Sequence, residues 1–132
     1  MKFPLEVVIE EHEGLSPGFG RWHIVAKRPD LTVGVYYINF RLGSDGLVIY
    51  ESKIKSYAPQ QHIPRLLITE CVSFLATKAR ELNQLLTHPV RFAREEERQK
   101  LRHLFVEQGY TDQGRSQDGR YDWMMTRTYE NR

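Results

Sequence analysis

The sequence predicts an α+β (mixed α/β) fold, in which an antiparallel β-meander is followed by a helix, a strand, a helix and closing strands. Two observations support this prediction. Apolar residues follow the period of strands along four segments before Pro59. From Leu67 to Leu82 they recur at helical spacing instead. Because helices after a run of strands indicate a sheet with helices packed on it, we expect residues 1–132 to form a single domain of this kind.

The predicted meander consists of four strands that are joined by polar turns. They are Leu5–Glu10, Arg21–Lys27, Leu31–Leu42 and Leu47–Lys55, with Glu11–Gly20 as the first loop. The third strand is apolar on both faces, which is typical of a central strand that is covered on both sides. The turn Gly43–Gly46 is a strong hairpin signal, and it sets Leu42 opposite Leu47.

The second half predicts two helices with strands between and after them. Pro64 lies in the first turn of the first helix, where a missing N–H costs nothing. The second helix, Glu95–Gln108, begins with three glutamates that favour the positive end of the helix dipole, and it ends at Gly109, the expected left-handed cap. The remaining strands are Pro89–Phe92, a piece from Tyr110, and Tyr121–Tyr129.

Composition and charge exclude several classes of protein. The net charge is +2, and basic residues are interspersed with acidic ones, so the sequence has no strong signal for nucleic acid and no polybasic membrane anchor. It has no run of 18 apolar residues and no signal-peptide pattern, so we expect a cytoplasmic protein without a membrane span. Cys71 is the sole cysteine, which excludes a disulfide framework and a cysteine-based zinc site, and it is expected to be a buried structural thiol.

Two C-terminal segments carry a resemblance to a known family. Leu104–Tyr110 reads LFVEQGY, and Asp118–Met125 reads DGRYDWMM. Together with the order of elements, they resemble the LYEKxGF helix ending and the DGxYDxxM closing strand of the GNAT superfamily of acetyl-CoA-dependent N-acetyltransferases. The resemblance covers residues 31–129. It implies a trimmed GNAT fold and transfer of an acetyl group from acetyl-CoA to an amine on a small molecule or a protein.

The stretch SYAPQQHIPRLL, which begins at Ser56, occupies the place of the family's pyrophosphate loop. A loop that opens a helix presents free backbone N–H groups and the positive dipole end to an anion. The resemblance implies that this loop holds the pyrophosphate and that the fourth strand pairs with the pantetheine, in a slot between Leu47–Lys55 and Pro89–Phe92. The implied cofactor-binding residues are Ile54, Lys55, Ser56, Gln60, Gln61, His62, Ile63 and Arg65.

The sequence departs from the family's pattern at the positions that carry its chemistry. His62 and Pro64 stand at two glycine positions of the loop, where Pro64 removes a donor and a side chain at His62 crowds an approaching anion. Phe105 stands where the family has its usual acid, a tyrosine, and has no proton to donate. Tyr110 is then the candidate acid.

Glu51 on the fourth strand is the candidate general base. Strand alternation places it on the face of Ile49 and Lys53, so a solvated pair of Glu51 and Lys53 is the alternative interpretation.

Only Glu11–Gly20 is available where family members usually place two helices, which implies a more open acceptor side.

Two other functions remain open at this point. The first is a catalytically inactive GNAT-fold protein that acts through protein–protein contacts as an inhibitor or regulatory subunit. The second is a metal-dependent nuclease, because Pro29-Asp30 followed by Glu51-Ser52-Lys53 has the outline of a PD…ExK motif. With Glu51 opposite Ile38, however, Asp30 lies roughly eight residues away, or about 26 Å, which is too far for both carboxylates to reach one Mg²⁺.

The histidines are His12, His23, His62, His88 and His103. They form no i,i+4 pair and share no helix face, so the sequence predicts no metal site and we expect them to be scattered.

Overall fold

The computed structural model describes residues 5–14, 16–57, 62–115 and 123–131. Over these residues the chain forms seven strands and two helices. Their bounds are β1 Glu6–Glu13, β2 Phe19–Arg28, β3 Leu31–Gly43, β4 Gly46–Ser56, α1 His62–Leu82, β5 Leu86–Phe92, α2 Glu95–Glu107, β6 Thr111–Arg115 and β7 Trp123–Tyr129. The strands form two antiparallel sheets, ordered β1-β2-β3-β4 and β5-β7-β6. This confirms the predicted α+β class.

Most predicted elements lie within two or three residues of the observed ones. Gly109 follows α2 with a φ of 84°, as the predicted left-handed cap requires. Cys71 is buried as expected, and burial raises the pKa of its thiol. The predicted strand start at Tyr121, with residues 118–122 of the family-like segment, lies outside the described residues. Among the described residues, neither helix combines the length and the apolar character that crossing a membrane requires.

The first hairpin is longer than the sequence predicts. The ladder of β1 and β2 runs from the pair of Glu6 and Lys27 to the pair of Glu13 and Gly20, so the chain turns within residues 14–18. Residues 11–13 and 19–20 of the predicted loop Glu11–Gly20 therefore belong to strands, and the predicted bounds of this loop are wrong. Residues 9–14 are exposed, so no alternation of apolar and polar side chains marked this end of the hairpin as a strand.

A β-bulge on β4 decides which side chains of that strand are exposed. Leu42 pairs with Leu47 as predicted, but Phe40 pairs with Ile49 and Asn39 with Glu51, which leaves Tyr50 as the extra residue. One extra residue inverts the alternation beyond it. Ile49 is therefore buried in the core while Glu51 is exposed, and the prediction that they share a face is wrong.

The core lies between helix α1 and one face of the first sheet. The α1 side chains are those of Ile63, Leu67, Ile68, Cys71, Leu75 and Ala79. They pack with Trp22, Ile24, Tyr36 and Ile38 of the sheet. Residues Val33–Tyr36 of β3 are buried on both faces, as the two-sided apolar pattern predicts. Helix α2 adds Leu104 and Phe105 to the same core and packs on β5 and β7.

Gly34 on β3 allows the close approach of α1 to the sheet. A Cβ atom at this position would lie 2.7 Å from Cγ2 of Ile63, 3.0 Å from Cδ1 of Leu67 and 3.2 Å from the carbonyl oxygen of Lys55. Since Ile63 and Leu67 are fully buried, they have no free space into which to move.

We therefore expect Gly34→Ala to lower the free energy of unfolding by about 1–3 kcal/mol through overpacking. Gly43→Ala is the matched control, because no atom lies within 4 Å of its Cβ position, and it should change stability by less than about 0.5 kcal/mol. Urea titrations followed by circular dichroism measure both values. Equal destabilisation of the two variants would contradict the close contact.

Candidate functional site

A cleft opens between β4 of the first sheet and β5 of the second. The two strands are joined where the hydroxyl of Ser52 donates a hydrogen bond of 3.3 Å to the carbonyl oxygen of Pro89. The cleft has a volume of about 1040 Å³. Its walls are formed by Tyr36, Tyr50, Glu51, Ser52, Lys53, Ile54, Val90, Arg91, Phe92, Ala93, Arg94 and Glu97. It lies between the two strand segments for which the resemblance implies a cofactor slot.

Glu51 lies at the rim of this cleft. Its exposed side chain also lines a depression of about 250 Å³ on the face of the sheet opposite α1, together with Arg21 and Asn39. In that depression, Nε of Arg21 donates a hydrogen bond of 2.6 Å to Oδ1 of Asn39. A carboxylate in this position is accessible both from the cleft and from the open face of the sheet. The arrangement suits a base that takes a proton from a molecule entering from the open face.

A chain of hydrogen bonds leads from the cleft into the protein interior. Oγ of Ser52 lies 2.9 Å from Nε2 of His88, and Nδ1 of His88 lies 2.5 Å from the hydroxyl of Tyr110. The Tyr110 hydroxyl is in turn 2.7 Å from that of Tyr129. These four residues, Ser52, His88, Tyr110 and Tyr129, are called the buried chain below. They come from β4, β5, the connection between α2 and β6, and β7, so the chain connects the two sheets.

One arrangement of protons satisfies the whole buried chain. Because Ser52 donates to Pro89, it accepts from Nε2–H of His88. Nδ1 of His88 then accepts from Tyr110, which accepts from Tyr129. Each hydroxyl and the imidazole donate one proton in one direction, which leaves no member with an unmade bond.

The protonation states of the buried chain follow from its burial. His88 is completely buried, and burial lowers its pKa to about 3, so the imidazole is neutral at pH 7. Burial also raises the pKa values of Tyr110 and Tyr129 well above their usual range. The chain therefore consists of neutral groups, and it can orient the Ser52 hydroxyl without placing a charge in the core.

Tyr110, the predicted acid, does not line the cleft among the described residues. Its side chain is 4% exposed and contacts the ring of Phe105 at a centroid distance of 5.1 Å. Its connection to the cleft passes through His88 and Ser52. The sequence did not predict a role for either of these residues. Once the bulge at Tyr50 is known, strand alternation places Ser52 on the inward face, where its hydroxyl contacts Tyr36 and Pro89.

The residues predicted to bind acetyl-CoA lie at the end of β4 and the start of α1. Ile54, Lys55 and Ser56 end β4, and Nζ of Lys55 lies 5.6 Å from the ring centre of Tyr37. Gln60 and Gln61 lie outside the described residues.

Helix α1 begins at His62 and has no acidic residue in its first turn, so the side chains of that turn add no negative charge at its positive dipole end. The side chain of Ile63 is fully buried, so the backbone N–H is the group of this residue that could donate a hydrogen bond to an anion. Arg65 forms an ion pair of 2.6 Å with Glu107.

Two further predictions are changed by the observed register. The expectation that the histidines are scattered is wrong for His12 and His23, whose ring centroids lie 4.1 Å apart across the β1–β2 hairpin. Glu51 pairs with Asn39 rather than with Ile38. Asp30, in the turn before β3, is therefore nine residues away along the strand, or roughly 30 Å, so Asp30 and Glu51 cannot share one Mg²⁺.

Comparison with known proteins identifies the fold. No protein-family model matches the sequence, and no curated protein matches it either. A GNAT-family acetyltransferase from Streptococcus pneumoniae superposes with a TM-score of 0.57 at 14% identity, over 83% of this chain and 66% of its own. This chain has the GNAT fold. A chimera of the spermidine N-acetyltransferase SpeG from Vibrio cholerae and hSSAT gives a TM-score of 0.54 at 17% identity, over 89% of this chain and 69% of the chimera.

The resemblance that the C-terminal segments carry is thus confirmed at the level of the GNAT fold. This chain spans about two thirds of the length of each matched structure.

The buried position of His88 predicts a specific loss of stability in acid. Its pKa of about 3 in the folded protein lies below its ordinary value of 6.5, so the unfolded chain binds more protons between these two pH values. The free energy of unfolding should be highest above pH 6.5 and fall as the pH decreases toward 3, by on the order of 4 kcal/mol from this group.

The variant His88→Gln lacks this contribution, so its stability should approach that of the wild type as the pH falls. His103→Gln, which changes an exposed histidine, should instead follow the wild type at every pH. The Arg102 hydrogen bond lowers the pKa of Asp112 to about 2, which adds an acid-dependent loss that all three proteins share. Urea unfolding at several pH values measures the difference, and parallel curves for wild type and His88→Gln would contradict the assignment.

Proposed function

We propose that this chain is a small GNAT-type N-acyltransferase that transfers an acetyl group from acetyl-CoA to an amine. The observation that carries the proposal is the cleft between β4 and β5, which is lined both by Glu51 at its rim and by Ser52, the outermost member of the buried chain. The bulge at Tyr50 places both groups there. The matched solved structures are described as acetyltransferases, which supports the same kind of reaction.

The cleft and the start of α1 fit a thioester with a long anionic tail. The backbone at the end of β4, Ile54–Ser56, would pair with the pantetheine arm, and the first N–H groups of α1 would face the pyrophosphate. His62 is exposed at this helix start and would lie beside the same phosphates. When bound, acetyl-CoA would supply the activated acetyl group.

Glu51 would take the proton of the acceptor amine, which enters from the open face of the sheet. Ser52, held at the strand junction by Pro89 and His88, would face the reacting end of the cleft. Tyr110 would act through His88 as a positioning residue for Ser52. Since its raised pKa keeps the Tyr110 hydroxyl protonated, its contribution would be hydrogen bonding through the chain rather than a permanent loss of its proton.

A second candidate function is a GNAT-fold binding or regulatory protein without catalysis. Three observations favour it. Pro64 removes one N–H donor from the first turn of α1, Arg65 is already paired with Glu107, and Phe105 stands in the place of the family's tyrosine. The two candidates differ in whether acetyl-CoA binds.

Isothermal titration calorimetry with acetyl-CoA tests the cofactor assignment. We expect saturable binding at one site, and Pro64→Ala should tighten it by up to about tenfold, because it restores a backbone donor to a charged phosphate. Pro29→Ala, in the exposed turn between β2 and β3, is the matched control and should leave the affinity unchanged. Absence of heat and of a thermal shift at millimolar acetyl-CoA would contradict the enzyme and favour the regulatory protein.

Rates of CoA release test the role of Glu51. With a panel of polyamines, amino acids and lysine peptides as acceptors, Glu51→Gln should lower kcat/KM by about 10²–10⁴-fold, the usual contribution of a general base. Affinity for acetyl-CoA should stay the same. Glu81→Gln, at the exposed end of α1, provides the control and should keep the wild-type rate. A wild-type rate in Glu51→Gln would remove Glu51 from the mechanism.

A further inference from the structure

Three metal-ligating side chains converge on the β1–β2 hairpin, outside the residues that line the β4–β5 cleft. One ligand atom from each of Glu10, His12 and His23 lies within 4.8 Å of the other two. Nε2 of His12 is 3.1 Å from Oε1 of Glu10, and its ring lies 4.1 Å from that of His23. This group of three residues is called the hairpin triad below.

The backbone of the hairpin brings the triad together. Glu10 and His12 are two residues apart on β1, so their side chains lie on the same face of the strand. Glu10 is directly opposite His23 on β2, and His12 is opposite Arg21. His12 and His23 are thus diagonal cross-strand neighbours, within reach of each other's long side chains. Because the continuous ladder fixes this register, the backbone positions of the triad do not depend on the conformation of a loop.

His23 supplies an unexplained buried nitrogen in this group. Its Nε2 atom is buried and has no hydrogen-bond partner among the described residues. A buried polar atom without a partner costs free energy, and a bound ion would satisfy it.

We propose that Glu10, His12 and His23 form a binding site for a divalent transition metal ion, with Zn²⁺ as its representative. Two imidazole nitrogens and one carboxylate oxygen are a ligand set that suits zinc and the neighbouring first-row ions, whereas Mg²⁺ prefers oxygen ligands alone. Ligands at ~2.0–2.1 Å from a tetrahedral ion lie about 3.3 Å from one another. The exposed side chains of Glu10 and His12 can adjust to this spacing.

The triad leaves a further coordination position open toward a neighbouring space. It lies against a cavity of about 530 Å³ that His12 and His23 line together with Asn39 and Tyr50. Three protein ligands with an open fourth position allow the ion to bind water or a small ligand. The guanidinium of Arg21, opposite His12, is the nearby positive charge that opposes a bound cation.

Calorimetric titration of the full, untagged chain with Zn²⁺ tests the site. We expect one saturable ion per chain and no heat with Mg²⁺. Loss of a residue that only hydrogen-bonds to a metal ligand costs about 10–100-fold in metal affinity, and loss of the ligand itself should cost at least as much. We therefore expect Zn²⁺ binding to weaken by at least about tenfold in each of the variants Glu10→Gln, His12→Ala and His23→Ala. Arg21→Gln should strengthen it, because it removes the opposing charge.

His103→Ala, which removes an exposed histidine of α2, is the matched control and should bind Zn²⁺ like the wild type. The proposal is overturned if Zn²⁺ gives no saturable heat, or if the three triad variants bind as the wild type does. Substoichiometric Ni²⁺ provides a second readout on the wild type, since it should first broaden the amide resonances around residues 10, 12 and 23. Broadening centred elsewhere would also overturn the proposal.

Discussion

The hydrogen bonds of His88 connect the two sheets of this protein through its interior. His88 on β5 bonds to Ser52 on β4, and through Tyr110 it reaches Tyr129 on β7. In a buried position each unmade bond would cost about 1–3 kcal/mol, so the members of the chain depend on one another. The β4–β5 cleft begins beside this junction, and its shape therefore depends on the same bonds.

The bulge at Tyr50 has a comparable influence on the candidate site. Without the extra residue, Glu51 would share a face with the buried Ile49 and Ser52 would point away from His88. The bulge reverses this alternation, so that Ser52 reaches the interior while Glu51 reaches the rim of the cleft. Of these two consecutive side chains, Ser52 therefore belongs to the buried network and Glu51 lies in the solvent-accessible space. A local backbone irregularity, rather than any residue type, creates the candidate site.

These features explain how far the sequence predicts the structure. The elements and their order were predictable, because apolar periodicity and turn residues such as Gly43–Gly46 and Gly109 are local signals. The bulge has no such signal, so the face of Glu51 was predicted wrongly. His88 and the pair of His12 and His23 were missed because each acquires its partners through register, across 11 to 36 residues of sequence. Side chains that meet across strands become visible only when the pairing is known.

The long first hairpin connects these observations to function. The resemblance to the GNAT superfamily implies helices between the first two strands, but here the chain continues as a ladder of β1 and β2 to Glu13 and Gly20. The sheet face opposite α1 consequently presents polar side chains, including Arg21, Asn39 and Glu51, instead of a helix-packing surface. The same extension aligns Glu10 and His12 with His23. The strand extension therefore leaves this face of the sheet open and aligns the three residues of the hairpin triad.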